Sequence, residues 1–197
     1  MNILIAFEFS GVVRNAFRKR GFDAFSCDLL ESEDNSPYHI QKGFDYVVNA
    51  GWDLIIMHPP CTALAVSGNR WYGKGQEKYH ERLEAIDQTM EWFEKAKQNA
   101  NHVAMENPVG VLPIPASQYV QPWHFGHEES KKTGFWLHNL PPLKPSKIVE
   151  RKHQKVWLMP ETKDRWKKRS ITYSGIAEAM ATQWGNFIKG EKDGSGS

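Results

Sequence analysis

The stretch Trp52-Asp53-Leu54-Ile55-Ile56-Met57-His58-Pro59-Pro60-Cys61-Thr62 constrains this chain more than any other. Leu54 to Met57 are apolar without alternation, the pattern of a strand covered on both faces in a parallel α/β sheet. Two prolines then end the sheet, because proline has no N–H to give a ladder and keeps its predecessor extended. Cys61 therefore leaves the carboxyl edge of a buried strand at a rigid turn, where open α/β sheets bind their ligands. A thiol there reads either as a nucleophile or as a small buried hydrophobe.

The flanking residues extend the same architecture. Residues 2–9 predict a first strand, Ser10 a helix N-cap, and Val12, Val13, Ala16 and Phe17 the apolar face of the helix that follows. Gly21 stops that helix, and residues 23–29 predict a second strand closing on Asp28. Strand, glycine turn, helix and strand with a terminal carboxylate open a nucleotide-binding βαβ unit. One glycine stands where a dinucleotide fingerprint has three, so NAD or FAD is not supported.

Residues 31–37 form a polar loop, residues 43–49 predict a short helix, and the glycine-rich, aromatic residues 68–75 read as a mobile loop beside the thiol. Residues 78–100 predict a long helix whose core stripe is Leu83, Ile86, Met90, Phe93 and Ala96 or Lys97. A further strand over 101–106 ends in a carboxylate followed by a proline, Glu106-Asn107-Pro108. Residues 109–150 are an irregular, substrate-facing excursion in which only 134–140 resembles a strand. A strand over 156–159 and a helix over 174–188, with Ile176, Ala179, Met180 and Trp184 inward, complete one domain over 1–190. Residues 191–197 read as a flexible tail or cloning remnant.

The net charge of +2 hides an uneven distribution, since residues 131–169 carry +9 and the remainder −7. Such asymmetry is the footprint of a polyanion contact, and Trp136, Trp157 and Trp166 interleave the cations as stacking platforms would. Two cysteines and no charged-then-apolar leader point to a reducing cytoplasm rather than a disulfide framework, and no apolar run is long enough to span a membrane. His58-x-x-Cys61 and His124-x-x-His127 have zinc-like spacing, but no second cysteine pair completes a site, so no metal is expected. Pro-Cys-x-x-Cys does not occur, which argues against a zinc deaminase.

Cys61 and Glu106, presented at the ends of neighbouring strands, admit a definite chemistry. A thiolate attacks an electron-poor ring carbon, such as cytosine C6, when a carboxyl group holds N3 and the exocyclic amine. The enamine so formed is nucleophilic at C5.

These residues resemble the DNA cytosine-5 methyltransferases. Phe7-Glu8-Phe9-Ser10-Gly11 is similar to their Phe-x-Gly-x-Gly cofactor loop, Pro59-Pro60-Cys61 to their Pro-Cys nucleophile motif followed by Ser67-Gly68, and Glu106-Asn107 to their Glu-Asn-Val motif, with Pro108 replacing valine. The resemblance is stronger to the short bacteriophage DNA methylases, through His-Pro-Pro-Cys-Thr, Glu-Asn-Pro, Lys-Lys-Thr-x-x-Trp-Leu and Gly-Ile-Ala-x-Ala-Met-Ala, and covers most of residues 2–188. It implies a Rossmann-like S-adenosylmethionine-dependent methyltransferase fold, with a mostly parallel sheet and helices on both faces.

The resemblance further implies Cys61 as nucleophile, Glu106 as cytosine N3 partner and Asn107 as orienting the adjoining loop. S-adenosylmethionine, or a modified form of it, would meet Phe7, Glu8, Phe9, Ser10, Gly11 and Pro59, with Asp28 on its ribose and Asp45 on its adenine. Substrate contacts would come from Asn69 and Arg70, and from Lys131, Lys132 and Thr133 in place of the family's missing Gln-x-Arg-x-Arg arginines. The partner would be DNA presenting an unstacked or single-stranded cytosine, in the cytoplasm of an infected bacterial host for a phage-encoded protein. The family's target recognition domain of roughly a hundred residues has no counterpart, which leaves two other readings: modification of a free pyrimidine nucleotide, or a binding protein of the same fold without catalysis.

Overall fold

The computed structural model describes residues 1–151 and 165–194. Its strands are β1 (Asn2–Ala6), β2 (Asp23–Cys27), β3 (His39–Ile40), β4 (Trp52–Met57), β5 (Ala100–Pro108), β6 (Gln118–Val120) and β7 (Thr133–His138). Its helices are α1 (Val12–Arg18), α2 (Asn69–Tyr72), α3 (Tyr79–Asn99), α4 (Arg165–Ser170) and α5 (Ser174–Gly194), with a one-turn 3-10 helix at Phe44–Tyr46 where a short helix is expected. The strands form one sheet in the order β3-β2-β1-β4-β5-β7-β6. β1 to β5 are mutually parallel, and β7 alone runs against both of its neighbours.

Strand periodicity of two sorts the central residues between the faces. Ile3, Ile5, Leu54 and Ile56 share one cluster with Val13 and Phe17 of α1 and Ile176, Met180 and Trp184 of α5. Leu4, Ala6, Ile55 and Met57 share the other with Phe44 and with Phe93 and Ala96 of α3. Helices thus cover both faces, which is why Leu54 to Met57 of β4 can be apolar without alternation. Trp184 is fully buried, with its Nε1–H donated to the Pro141 carbonyl at 2.9 Å, and its ring meets Phe135 edge-on.

Four expectations are corrected. β1 stops at Ala6, because Phe7 turns into the left-handed region at φ 60. Residues 68–75 contain the short helix α2, and residues 109–150 add β6 to the sheet beside β7, the strand expected over 134–140. Trp136 is core, donating Nε1–H to the Ile114 carbonyl at 2.9 Å, while Trp157, the 156–159 strand and the Trp166 side chain lie outside the described residues.

The inward face of α3 is Arg82, Thr89, Phe93 and Ala96, with Leu83 46% exposed and Ile86 and Met90 only half-buried. Length explains it: a helix of 21 residues spans about 31 Å, against about 20 Å for the six-residue β4. The first turns of α3 overhang the carboxyl edge of the sheet, where backbone carbonyls rather than a hydrophobic face await them. Among the described residues no helix is long and apolar enough to cross a membrane.

Candidate active site

The sheet order reverses between β1 and β4, and the carboxyl ends of those strands, with β2 and β5 beside them, frame the crevice where such sheets bind ligands. After β1, Phe7 holds a backbone conformation that costs an L-residue about 1–2 kcal/mol. That turn drops Glu8 beneath α1, where its Oε1 accepts the Val13 N–H at 2.7 Å and its Oε2 the Arg14 N–H at 3.2 Å. Glu8, not the expected Ser10, closes the helix start, since a two-oxygen acceptor satisfies two orphaned amides at once. Ser10 Oγ lies 3.5 Å from the Val12 nitrogen, at the limit of a hydrogen bond. Gly11 sits at φ 71, and a Cβ there would lie 2.2 Å from Arg14 Nη2.

Arg14 is fully buried and organises the loop that follows β2. Its Nη1 donates to Ser26 Oγ at 2.8 Å, and its Nη2 pairs with Asp34. Ser26 donates its hydroxyl to His39 Nδ1 at 2.9 Å, and His39 Nε2 donates to the Leu30 carbonyl at 2.9 Å, which fixes the tautomer because a carbonyl only accepts. The network anchors both sides of Asp28, whose Oδ1 accepts the Leu30 N–H at 2.9 Å. Burial pushes the Asp28 carboxyl above the ordinary range despite that bond.

Beyond β4, His58 adds one more rung by donating its N–H to the Ala6 carbonyl at 3.0 Å. Pro59 and Pro60 follow, and Cys61 is half-buried, its carbonyl accepting from Leu64 at 3.1 Å and Ala65 at 2.9 Å. The loop after the thiol is pinned from three sides. Arg82 of α3 donates to the carbonyls of Ala63 at 2.7 Å and Ala65 at 3.3 Å and to Asn69 Oδ1 at 2.7 Å. Val66 and Val111 exchange backbone bonds with Val109 and Leu64, each at 3.1 Å, and Asn107 Nδ2 donates to the Pro59 carbonyl at 3.3 Å.

Glu106 ends the run of β5 beside β4, and its Oε2 accepts from His58 Nδ1 at 2.9 Å with both side chains nearly buried. Burial alone would raise the Glu106 carboxyl; the His58 bond and the Lys131 ammonium override it and hold the group below its usual range. The Cys61 thiol is pushed up by burial first and by the Glu106 carboxylate second, while Lys131 and Arg169 pull it down. Lys131 thus favours the ionised form of both the thiol and the carboxylate, while the carboxylate disfavours the thiolate. A cleft runs from Glu106 between Lys131, Thr133, Phe135, Thr172, Tyr173 and Ile176. Lys131 Nζ donates to the Arg169 carbonyl at 2.8 Å, and Tyr173 donates its hydroxyl to Glu129.

The structure thus gathers Cys61, Glu106, Asn107, Pro59, Lys131 and Thr133 around one crevice, with Asp28, Glu8 and Gly11 on its β1 and β2 side. It engages the others elsewhere. The Phe7 ring packs on Phe44 and Trp92 at centroid distances of 5.6 and 4.6 Å, and Phe9 is buried. Asp45 pairs with Lys95 and accepts the Trp92 Nε1–H at 3.2 Å. Asn69 serves Arg82, Arg70 lies 5.0 Å over the Trp71 ring, and Lys132 lies 4.4 Å over that of Tyr119. His127 Nε2 accepts the Gly175 N–H at 3.0 Å at the start of α5, and among the described residues no cluster of metal-ligating side chains forms.

Sequence reasoning missed His58 and Arg82. His58 is one residue past an apolar strand whose neighbour ends in Glu106, so strand register alone could have paired them. Arg82 carried no such signal, since an arginine among helix-surface residues reads as solvated.

No protein-family model and no curated protein matches the sequence. Solved structures do. One, described as a candidate DNA modification methyltransferase encoded within an Escherichia coli prophage, aligns with a TM-score of 0.52 at 14% identity, covering 76% of this chain and 52% of its own. The Entamoeba histolytica methyltransferase EhMeth aligns with a TM-score of 0.51 at 12% identity, covering 78% of this chain and 57% of its own. This chain therefore spans little more than half the length of either structure. At this identity the likeness establishes the architecture: this chain shares the Rossmann-like fold of those methyltransferases.

Proposed function

We propose that this chain is a methyltransferase that modifies cytosine C5 in DNA. The observation that carries the reading is the placement of Cys61 beyond β4 and Glu106 on the adjacent parallel strand β5, beside a cleft lined by Glu106 and Lys131. The cofactor would be S-adenosylmethionine, which supplies an electrophilic methyl group when bound. The residues suit it: Asp28 is a half-buried carboxyl that gains from hydroxyl donors, and Asn107 Oδ1 is a buried polar atom without a partner among the described residues.

In this reading Lys131 meets the base carbonyl or a phosphate, and the ionised Glu106 accepts from the exocyclic amine and from N3, which takes its proton from solvent. Cys61 Sγ, as thiolate, forms a bond to C6, and the ring electrons move to C5, the carbon that would take the methyl group as its bond to the cofactor's sulfonium sulfur breaks. Transfer of the C5 proton to water then re-forms the C5 to C6 double bond and expels the thiolate. C6 is reachable only when the base is unstacked, so the target is a flipped or single-stranded cytosine. The likeness to a DNA modification enzyme and the basic residues 131–169 favour a polymer over a free nucleotide.

An oligonucleotide carrying 5-fluorocytosine tests the reading, because fluorine at C5 blocks the last step and traps the covalent adduct. With S-adenosylmethionine the wild-type protein is expected to form an adduct that survives denaturing electrophoresis, and Cys61→Ala to form none. No adduct on either single- or double-stranded DNA would overturn the proposal.

A further inference from the structure

We propose that His58 is the positioning residue of this site, its Nδ1–H fixing which oxygen of Glu106 faces the base. The inference rests on the cytosine reading above and deepens it. A glutamate carboxylate rotates over a broad torsional well, so facing a cleft does not by itself aim it. His58 removes that freedom by engaging Oε2 at 2.9 Å, which leaves Oε1 for the substrate.

The histidine is itself held rigidly. Its N–H is bonded to the Ala6 carbonyl, Pro59 restricts its backbone, and the Pro59 carbonyl is bonded to Asn107, the residue after Glu106. One side-chain bond therefore ties the strand that delivers Cys61 to the strand that delivers Glu106. A histidine serving only to satisfy core polar groups would use both nitrogens, as His39 does. His58 uses one, on Glu106, and its buried Nε2 has no partner among the described residues.

The charged groups acting on this pair come from every element around it. Glu8 from the turn after β1 interacts electrostatically with His58, Lys131 ahead of β7 with Glu106, and the Cys61 thiol beyond β4 with Glu106. Of these, the His58 bond is the largest influence holding Glu106 ionised against its burial.

Three variants test the inference, with single-turnover adduct formation on 5-fluorocytosine DNA as the readout. Asparagine can place an N–H where His58 Nδ1 stands, whereas leucine and glutamine cannot. His58→Leu and His58→Gln are expected to lose about 100-fold in adduct rate, with DNA and cofactor dissociation constants within about threefold of wild type. The acid limb of the rate profile should move to higher pH as Glu106 loses its bond. His58→Asn should regain most of the rate and the wild-type acid limb. If His58→Leu does not fold, the contrast between asparagine and glutamine carries the same test.

Equal losses in all three variants, or losses with raised dissociation constants and an unmoved acid limb, would overturn the inference and leave His58 structural. A wild-type protein that forms no adduct overturns the cytosine reading and this inference with it. A wild-type adduct whose rate and profile are untouched in His58→Leu overturns the inference alone.

Discussion

Arg82 donates its Nε–H to the carbonyl of Ala63 at 2.7 Å, so a residue of α3 sets the backbone two positions beyond Cys61. Arg82 is 4% exposed, and its other bonds reach Ala65 and Asn69. Replacing it by methionine keeps the volume but strands the Ala63 carbonyl and Asn69 Oδ1 and leaves the Ala65 carbonyl with the Gly68 N–H alone. Arg82→Met is expected to cost about 2–4 kcal/mol of stability, read by urea denaturation, and to slow adduct formation more than it weakens DNA binding. A variant as stable as wild type would show that the loop does not depend on this side chain.

Glu8 predicts a pH dependence of stability with a definite sign. Burial raises its carboxyl above the unfolded value of 4.5, with His58 and the Val13 and Arg14 amides only partly offsetting it. Below pH 4.5 the group is protonated in both states and imposes no penalty. As pH climbs from there through the raised folded value, ionisation increasingly favours the unfolded chain. Glu8→Gln cannot ionise, so its stability relative to wild type should improve between pH 4.5 and pH 7.5 in urea titrations. A difference constant over that window would mean that Glu8 stays ionised when folded.

How far these features were legible in the chain depended on whether one segment carried them. The apolar run of β4 and its two prolines announced a buried parallel strand and the place of Cys61, and the structure agrees on both. The pairing of Glu106 with His58 was hidden because it joins residues 48 apart, and only the register of β4 and β5 brings them together. Leu83 was misread as core because periodicity reports which face of a helix is apolar, not how far the sheet beneath it extends. The capping role of Glu8 was missed because sequence rules place a cap next to the helix, whereas the strained Phe7 lets a residue four positions ahead of Val12 supply it.

Asp28 yields a prediction about the cofactor. Its carboxyl is half-buried at the end of β2 and raised by burial. Asp28→Ala is expected to weaken S-adenosylmethionine binding roughly 10- to 100-fold, the range of one or two hydrogen bonds to a charged group, measured by calorimetry. Wild-type affinity should fall as pH drops through the raised value, because the protonated carboxyl loses acceptor strength, and Asp28→Ala should show no such fall. Unchanged affinity in the variant would move the ribose site elsewhere.

The two cysteines furnish an internal comparison for the charges around the site. Cys27 is 1% exposed and burial pushes its thiol up to about 12, so it should resist alkylation at any pH the fold tolerates. Cys61 is half-buried, raised by burial and by Glu106, and lowered by Lys131 and Arg169. Because the thiolate is the reacting form, each neighbour's charge converts directly into rate. Glu106→Gln removes a charge that disfavours the thiolate and should speed iodoacetamide labelling of Cys61 at pH 8 by roughly three- to tenfold. Lys131→Met should slow it, and Cys27 should remain unlabelled in both, as peptide mass mapping would show. Opposite changes at Cys61 would mean that these groups do not share a site; labelling of Cys27 alongside it would mean that the variants had merely loosened the fold.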